Sequence, residues 1–180
     1  LAEIVRKLDR AGIEHMLAGS FASSFHGEPR TTNDIDLVID CDRASLERFV
    51  RRLDPSRFYV SAEAADQAWR QRGLFNVVVL ESGWKVDLIL RKDRAFSREE
   101  FARRQPAEIA GARVWLATAE DTIVAKLEWA RAGESERQLR DVVGILALRT
   151  GELDLAYIQR WVRELALGAL WERARIEAGL

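Results

Sequence analysis

The sequence predicts an α/β protein: a small mixed β-sheet with helices packed mainly on one face, followed by a C-terminal helical subdomain. Three observations predict it. Short apolar runs of strand character alternate with helix-period segments from residue 2 to residue 90. The runs 74–80 and 84–90 meet at Glu81-Ser82-Gly83, a hairpin connection. Beyond Leu116 only helical periodicity remains.

In order, residues 2–10 have helical spacing in Ile4, Val5 and Leu8, and Gly12 stops that helix. A strand over 13–18 runs into Gly19, and 20–26 reads as a short helix ended by Gly27. After the polar loop 28–33 a strand covers 34–39. Asp42 then caps a helix over 43–53 that aligns Leu46, Phe49, Val50 and Leu53. A short strand at 58–60 and a helix over 62–72 lead into the hairpin strands. A helix follows from Ser97 to Arg104, and 108–109 pairs with 114–116 around Gly111 as a small hairpin. Thr118-Ala119-Glu120-Asp121 resembles a capping box, with Asp in place of Glu, and opens a helix to about Ala132. Gly133 breaks it, a second helix covers 135–149, and 154–178 supplies one or two more. Trp129, Trp161 and Trp171, at helical positions, are expected in the core. The organisation expected is a catalytic core over 1–92, a connecting segment over 93–117 and a helical subdomain over 118–180 that closes the cleft.

Composition narrows the function classes. With 48% hydrophobic and 32% charged residues and only 3 prolines in 180, the chain is neither disordered nor fibrous. No stretch approaches the roughly 18 uninterrupted apolar residues of a membrane span. The N-terminus has no signal-peptide core, and because the chain opens on Leu1 rather than Met a few residues are expected before it; a cytoplasmic protein without membrane contact is expected. The single cysteine, Cys41, excludes an internal disulfide and a multi-thiolate zinc site. A net charge of −1 gives no global basic field for nucleic acid. Positive charge is mostly arginine, Lys7, Lys85, Lys92 and Lys126 being the lysines. Arginine suits phosphate contacts, although a GC-rich gene produces the same bias.

The chemistry concentrates on three aspartates. Asp34 and Asp36 stand two apart on one strand, so both project from one face while Ile35, Leu37 and Ile39 project from the other. Two adjacent carboxylates repel each other unless a cation lies between them. Oxygen-only ligands favour a hard divalent ion such as Mg²⁺, completed by water and substrate phosphates. In the later strand Trp84, Val86, Leu88 and Leu90 form an apolar face and Asp87 points the other way, giving one sheet three carboxylates on its open face. Such a set is enough for two metals that assist an in-line displacement at phosphorus. Upstream, a strand running into Gly19 and Ser20 at a helix start makes a phosphate cradle from the first amides and the hydroxyl.

Gly19-Ser20, thirteen intervening residues and then Asp34-Ile35-Asp36-Leu37, with Asp87 on a later strand, resembles the signature of the DNA polymerase beta-like nucleotidyltransferase superfamily. The resemblance implies a nucleotidyltransferase-like sheet and transfer of a nucleoside monophosphate from a nucleoside triphosphate, with Mg²⁺ or Mn²⁺ as cofactor. It implies that Asp34 and Asp36 bind both metals, that Asp87 binds one and helps deprotonate the acceptor hydroxyl, and that Gly19 and Ser20 hold the triphosphate. Residues 30–37 are similar to the Arg-x-Thr-x-Asp-Ile-Asp-Leu form of small bacterial members, including the abortive-infection (AbiEii-type) toxin transferases. On that resemblance Lys126 neutralises triphosphate charge, Asp141 assists it or acts near the acceptor, and Arg30 and Thr32 contact phosphate or base. Implied partners are the triphosphate, an acceptor such as transfer RNA, another RNA, a protein or a small molecule, and a cognate antitoxin.

Blander readings stand beside these. Asp87 has the pattern of a solubilising edge-strand acid, Lys126 and Asp141 that of an inter-helix ion pair, and Thr32 that of a loop-holding side chain. The alternative functions are a catalytically silent binding module and an interaction protein of a toxin-antitoxin pair. The latter would show an exposed apolar patch along Trp161 to Trp171.

Overall fold

A computed structural model describes residues 1–109, 111–133 and 135–180. In chain order its elements are α1 (Ala2–Ala11), β1 (Glu14–Leu17), α2 (Gly19–His26), β2 (Asp34–Asp40), α3 (Arg43–Arg51), β3 (Phe58–Tyr59), α4 (Ala62–Gln71), β4 (Leu74–Val79), β5 (Lys85–Leu90), α5 (Ala95–Ala102), β6 (Gln105–Ile109), β7 (Ala112–Leu116), α6 (Ala119–Gly133), α7 (Glu136–Arg149), α8 (Leu155–Glu164) and α9 (Gly168–Glu177). They divide into two units: Leu1–Ala18 with Thr32–Leu116, and Gly19–Thr31 with Ala117–Leu180.

The first unit is a seven-stranded mixed sheet in the order β3-β4-β5-β2-β1-β7-β6. Its central strands show the period-2 division the sequence predicts: Ile35, Leu37 and Ile39 on β2 and Val86, Leu88 and Leu90 on β5 are all buried. Each such side chain stabilises the fold by about 1.5–3 kcal/mol on burial. On the other face the even positions of β2 stay partly or fully exposed, which is where the acids stand. α1 contributes Ile4, Val5 and Leu8 to the core. The Asp42 cap forms as expected, its Oδ1 accepting from the Ser45 amide at 2.7 Å. The hairpin around Gly111 is longer than its apolar pattern suggests. Its β7 extends the main sheet through a parallel pairing of Leu116 with Leu17 on β1.

The second unit is helical: α2 packs with α6 and α7, α8 packs with α6, and α9 packs with α6, α7 and α8. Thr118 caps α6, the Asp121 amide donating to Thr118 Oγ1 at 3.2 Å, and the Asp121 carboxylate answers by accepting from that hydroxyl at 2.6 Å. Asp121 is fully buried and also accepts from the Tyr157 hydroxyl. Gly27 sits where a Cβ would lie 2.8 Å from the Ile145 backbone nitrogen, so only glycine lets α2 end this close to α7. Trp161 and Trp171 are core residues, which removes the exposed patch an interaction protein would need there. Trp129 is not; it is 57% exposed. The last turns of α6 bury Lys126, Leu127 and Ala130, and Trp129 falls on the opposite side, a face that spacing alone does not identify. No helix among the described residues is long and apolar enough to cross a membrane.

Candidate functional site

β2 and β5 run parallel, in a register that sets Asp34 beside Lys85 and Asp36 beside Asp87. Because the odd positions of β2 and the even positions of β5 fill the core, all four of these side chains share the open face. Asp87 is the more sheltered acid, its side chain 15% exposed against 55% for Asp34. The Lys85 ammonium lies 3.2 Å from Asp87 Oδ2 and 3.7 Å from Asp34 Oδ1. Its hydrogen bond to Asp87 and the surrounding carboxylates outweigh desolvation and hold the Lys85 pKa above its ordinary value. From β4, Asn76 donates to Asp87 Oδ1 at 3.2 Å, orienting that carboxylate. Thr32 Oγ1 accepts from the Asp34 amide at 3.3 Å, a local bond that shapes the entry to β2. At the neighbouring strand end the Ala18 amide donates to the Asp36 carbonyl at 2.9 Å.

Carboxylates on one face of two adjacent strands form an oxygen donor set suited to a hard divalent cation. Among the described residues no three His, Cys, Asp or Glu side chains are gathered closely enough to grip a metal as they stand. In this arrangement the cation among the acids is Lys85.

The second cluster belongs to the helical unit. Gly19 has φ of +59°, in the left-handed region that favours glycine, and starts α2 directly after β1 and Ala18. Ser20, in the first turn, accepts through its hydroxyl from Arg30 Nη2. The Arg30 fork also grips Asp141, with Nε 3.0 Å from Oδ1 and Nη2 3.2 Å from Oδ2. From α6 the Lys126 ammonium reaches Asp141 Oδ2 at 2.7 Å and Gln138 Oε1 at 2.8 Å. Ser23 Oγ stands 3.2 Å from Asp141 Oδ2. Burial pushes the Asp141 carboxyl up, but the bonds and charges of Arg30 and Lys126 outweigh it and hold the pKa below its usual value. Lys126 is 4% exposed. Gln138 and Asp141 are three apart on α7 and so share its inward face.

The residues singled out in the sequence thus fall into two groups. Thr32, Asp34, Asp36 and Asp87 lie in the sheet unit, and Gly19, Ser20, Arg30, Lys126 and Asp141 in the helical unit. Sequence reasoning missed Lys85, Asn76, Ser23 and Gln138. Lys85 carried a readable signal, since it stands two before Asp87 and must share its face. Ser23 and Gln138 sit one helical turn from Ser20 and Asp141. Asn76 becomes visible only through the pairing of β4 with β5.

No family model matches the chain, and no curated protein matches it. Solved structures do. An antigenic nucleotidyltransferase-like protein from Paracoccidioides brasiliensis is similar over 95% of this chain and 89% of its own, at 18% identity and a TM-score of 0.58. The antibiotic-resistance factor ANT(2'')-Ia is similar over 95% of this chain and 92% of its own, also at 18% identity and a TM-score of 0.58. The lincomycin-bound lincosamide antibiotic adenylyltransferase LnuA is similar over 81% of this chain and 94% of its own, at 10% identity and a TM-score of 0.52. At such identities the likeness is one of fold: the mixed sheet with its helices is nucleotidyltransferase-like.

Proposed function

We propose that this protein is a divalent-metal-dependent nucleotidyltransferase that moves a nucleoside monophosphate from a nucleoside triphosphate to an acceptor hydroxyl. The observation that carries the reading is the parallel register of β2 and β5, which seats Asp36 beside Asp87 with Asp34 on the same open face. In the reaction the acceptor oxygen bonds to the α-phosphorus, the bond between that phosphorus and the bridging oxygen breaks, and pyrophosphate leaves. Asp34, Asp36 and Asp87 would hold Mg²⁺ or Mn²⁺, which when bound offsets phosphate charge and acidifies the attacking hydroxyl. Asp87, oriented by Asn76, takes the hydroxyl proton. Gly19 and Ser20 hold the triphosphate by backbone amides and hydroxyl. Arg30 and Lys126, both anchored by Asp141, supply fixed positive charge for the phosphates, and Thr32 shapes the loop before Asp34. Such fixed groups act by positioning and by offsetting charge without reorganising.

The acceptor belongs to the same proposal. ANT(2'')-Ia has been seen with adenylyl-2''-tobramycin and LnuA with lincomycin, which supports the small molecule among the acceptor classes of RNA, protein and small molecule. A toxin of the abortive-infection kind, with a cognate antitoxin, rests on the similarity of residues 30–37. A silent binding module has one observation in its favour, the engagement of Lys85 with two of the three acids.

The test incubates the protein with each α-labelled nucleoside triphosphate, Mg²⁺ or Mn²⁺, and separately with cellular RNA, cellular protein, tobramycin and lincomycin, beside Asp34→Asn/Asp36→Asn. Label transferred by the parent protein alone is the expected result and names the acceptor class. Metal-dependent nucleotide binding with no transfer to any acceptor favours the binding module, and neither binding nor transfer overturns the reading.

A further inference from the structure

The helical unit contains a second feature, two of whose arginines the proposed chemistry leaves unused. A concavity of about 400 Å³ opens between the 28–31 loop and the start of α7, lined by Glu28, Arg30, Thr31, Arg137, Arg140 and Asp141 among others. Its size suits a group no larger than a nucleotide. Gly19, Ser20 and Lys126 do not line it, whereas Arg30, which donates to the Ser20 hydroxyl, does, so it borders the turn assigned to the triphosphate.

Its charge is unbalanced. Asp141 is already held between Arg30 and Lys126, and Glu28 is the other acid of the lining. Arg137 and Arg140, both exposed and one helical turn apart, have no hydrogen bond or ion pair to a described residue. Arg137 stands in the first turn of α7, at the positive end of its dipole, where an anion is favoured, and Glu136, the acid of that turn, lies within electrostatic reach of Arg140 but is hydrogen-bonded to Arg173. Local rules broken in this way, beside a concavity, mark a binding site more often than a scaffold. Planar forks in this number suit phosphate oxygens, and they would repel a polyamine.

We infer that Arg137 and Arg140 form a subsite for a phosphate group of the acceptor, beside the turn assigned to the triphosphate. The inference rests on the nucleotidyltransferase reading for the word acceptor. The phosphate could belong to a nucleic-acid strand or to a small phosphate ester, and the chemistry of the subsite is the same for both.

The test compares the parent protein with Arg137→Ala/Arg140→Ala, whose side chains are at the surface. Fluorescence anisotropy measures binding of a short fluorescein-labelled single-stranded RNA, with a phosphate-free peptide nucleic acid of the same sequence as control. Displacement by ribose 5-phosphate reports the small ester, and calorimetry measures binding of a Mg²⁺-nucleotide. The expected result is an affinity for RNA about tenfold weaker in the double variant, with a salt slope reduced by about two and Mg²⁺-nucleotide affinity retained. Loss confined to ribose 5-phosphate also supports the subsite and assigns it to a small ester. Unchanged affinity for both phosphate probes overturns the inference, as does an equal loss of Mg²⁺-nucleotide affinity, which would give the pocket to the triphosphate. A parent that binds the probes through these arginines but binds no Mg²⁺-nucleotide overturns the nucleotidyltransferase reading instead, leaving a phosphate site without an acceptor role.

Discussion

Lys85 and Asp87 stand two apart on β5 with ammonium and carboxylate 3.2 Å apart, and the same ammonium lies 3.7 Å from Asp34 on the neighbouring strand. The lysine therefore places a positive charge among the acids proposed to hold a divalent ion, and the two cations compete electrostatically. Lys85→Met is expected to tighten Mn²⁺ binding by about fivefold, the scale of removing one charge a few ångströms from the ion in a hydrated site. Electron paramagnetic resonance of free Mn²⁺ reads this without turnover. Folding should change little, because the lysine is 40% exposed and such pairs contribute about 0–1 kcal/mol. Equal or weaker Mn²⁺ binding would show that Lys85 does not oppose the metal.

Asp141 is the hub of the helical cluster, and its loss should be felt in the fold. With side chains 8% and 5% exposed, Asp141 and Lys126 form a buried pair, and Arg30 adds a second cation. Asp141→Asn leaves both cations without their counter-charge and is expected to cost about 3 kcal/mol of stability, read from the urea midpoint at an unchanged m-value. A loss below about 0.5 kcal/mol would mean that water or another group already screens the cluster.

Stability should also fall in mild acid through the histidines. Burial holds His15 and His26 below their ordinary 6.5; Asp9 opposes the shift at His15, and the Ala117 carbonyl opposes it at His26. The folded state thus keeps neutral rings while the unfolded chain takes up protons first. The stabilisation is complete above pH 6.5 and is lost progressively as pH falls below it. Urea midpoints should drop between about pH 7.5 and pH 5.5, and drop less in His26→Gln. An identical drop in that variant would assign the acid sensitivity elsewhere.

The sequence by itself determined the strands and which face each side chain takes, because a period of two is a property of the extended backbone. Asp34 and Asp36 had to share a face opposite Leu37, and Asp87 a face opposite Leu88. Gly19 and the Thr118 cap were legible for the same local reason. What only the tertiary structure decided is which faces meet and in what register. Nothing local to β2 or β5 sets Asp36 beside Asp87 rather than one pair further along. Nor does helical spacing reveal that Arg30, 111 residues before Asp141, supplies its second cation, or that α6 turns Lys126 inward and Trp129 outward. Those outcomes depend on long-range packing, in which buried charges are tolerated only where partners from distant segments converge.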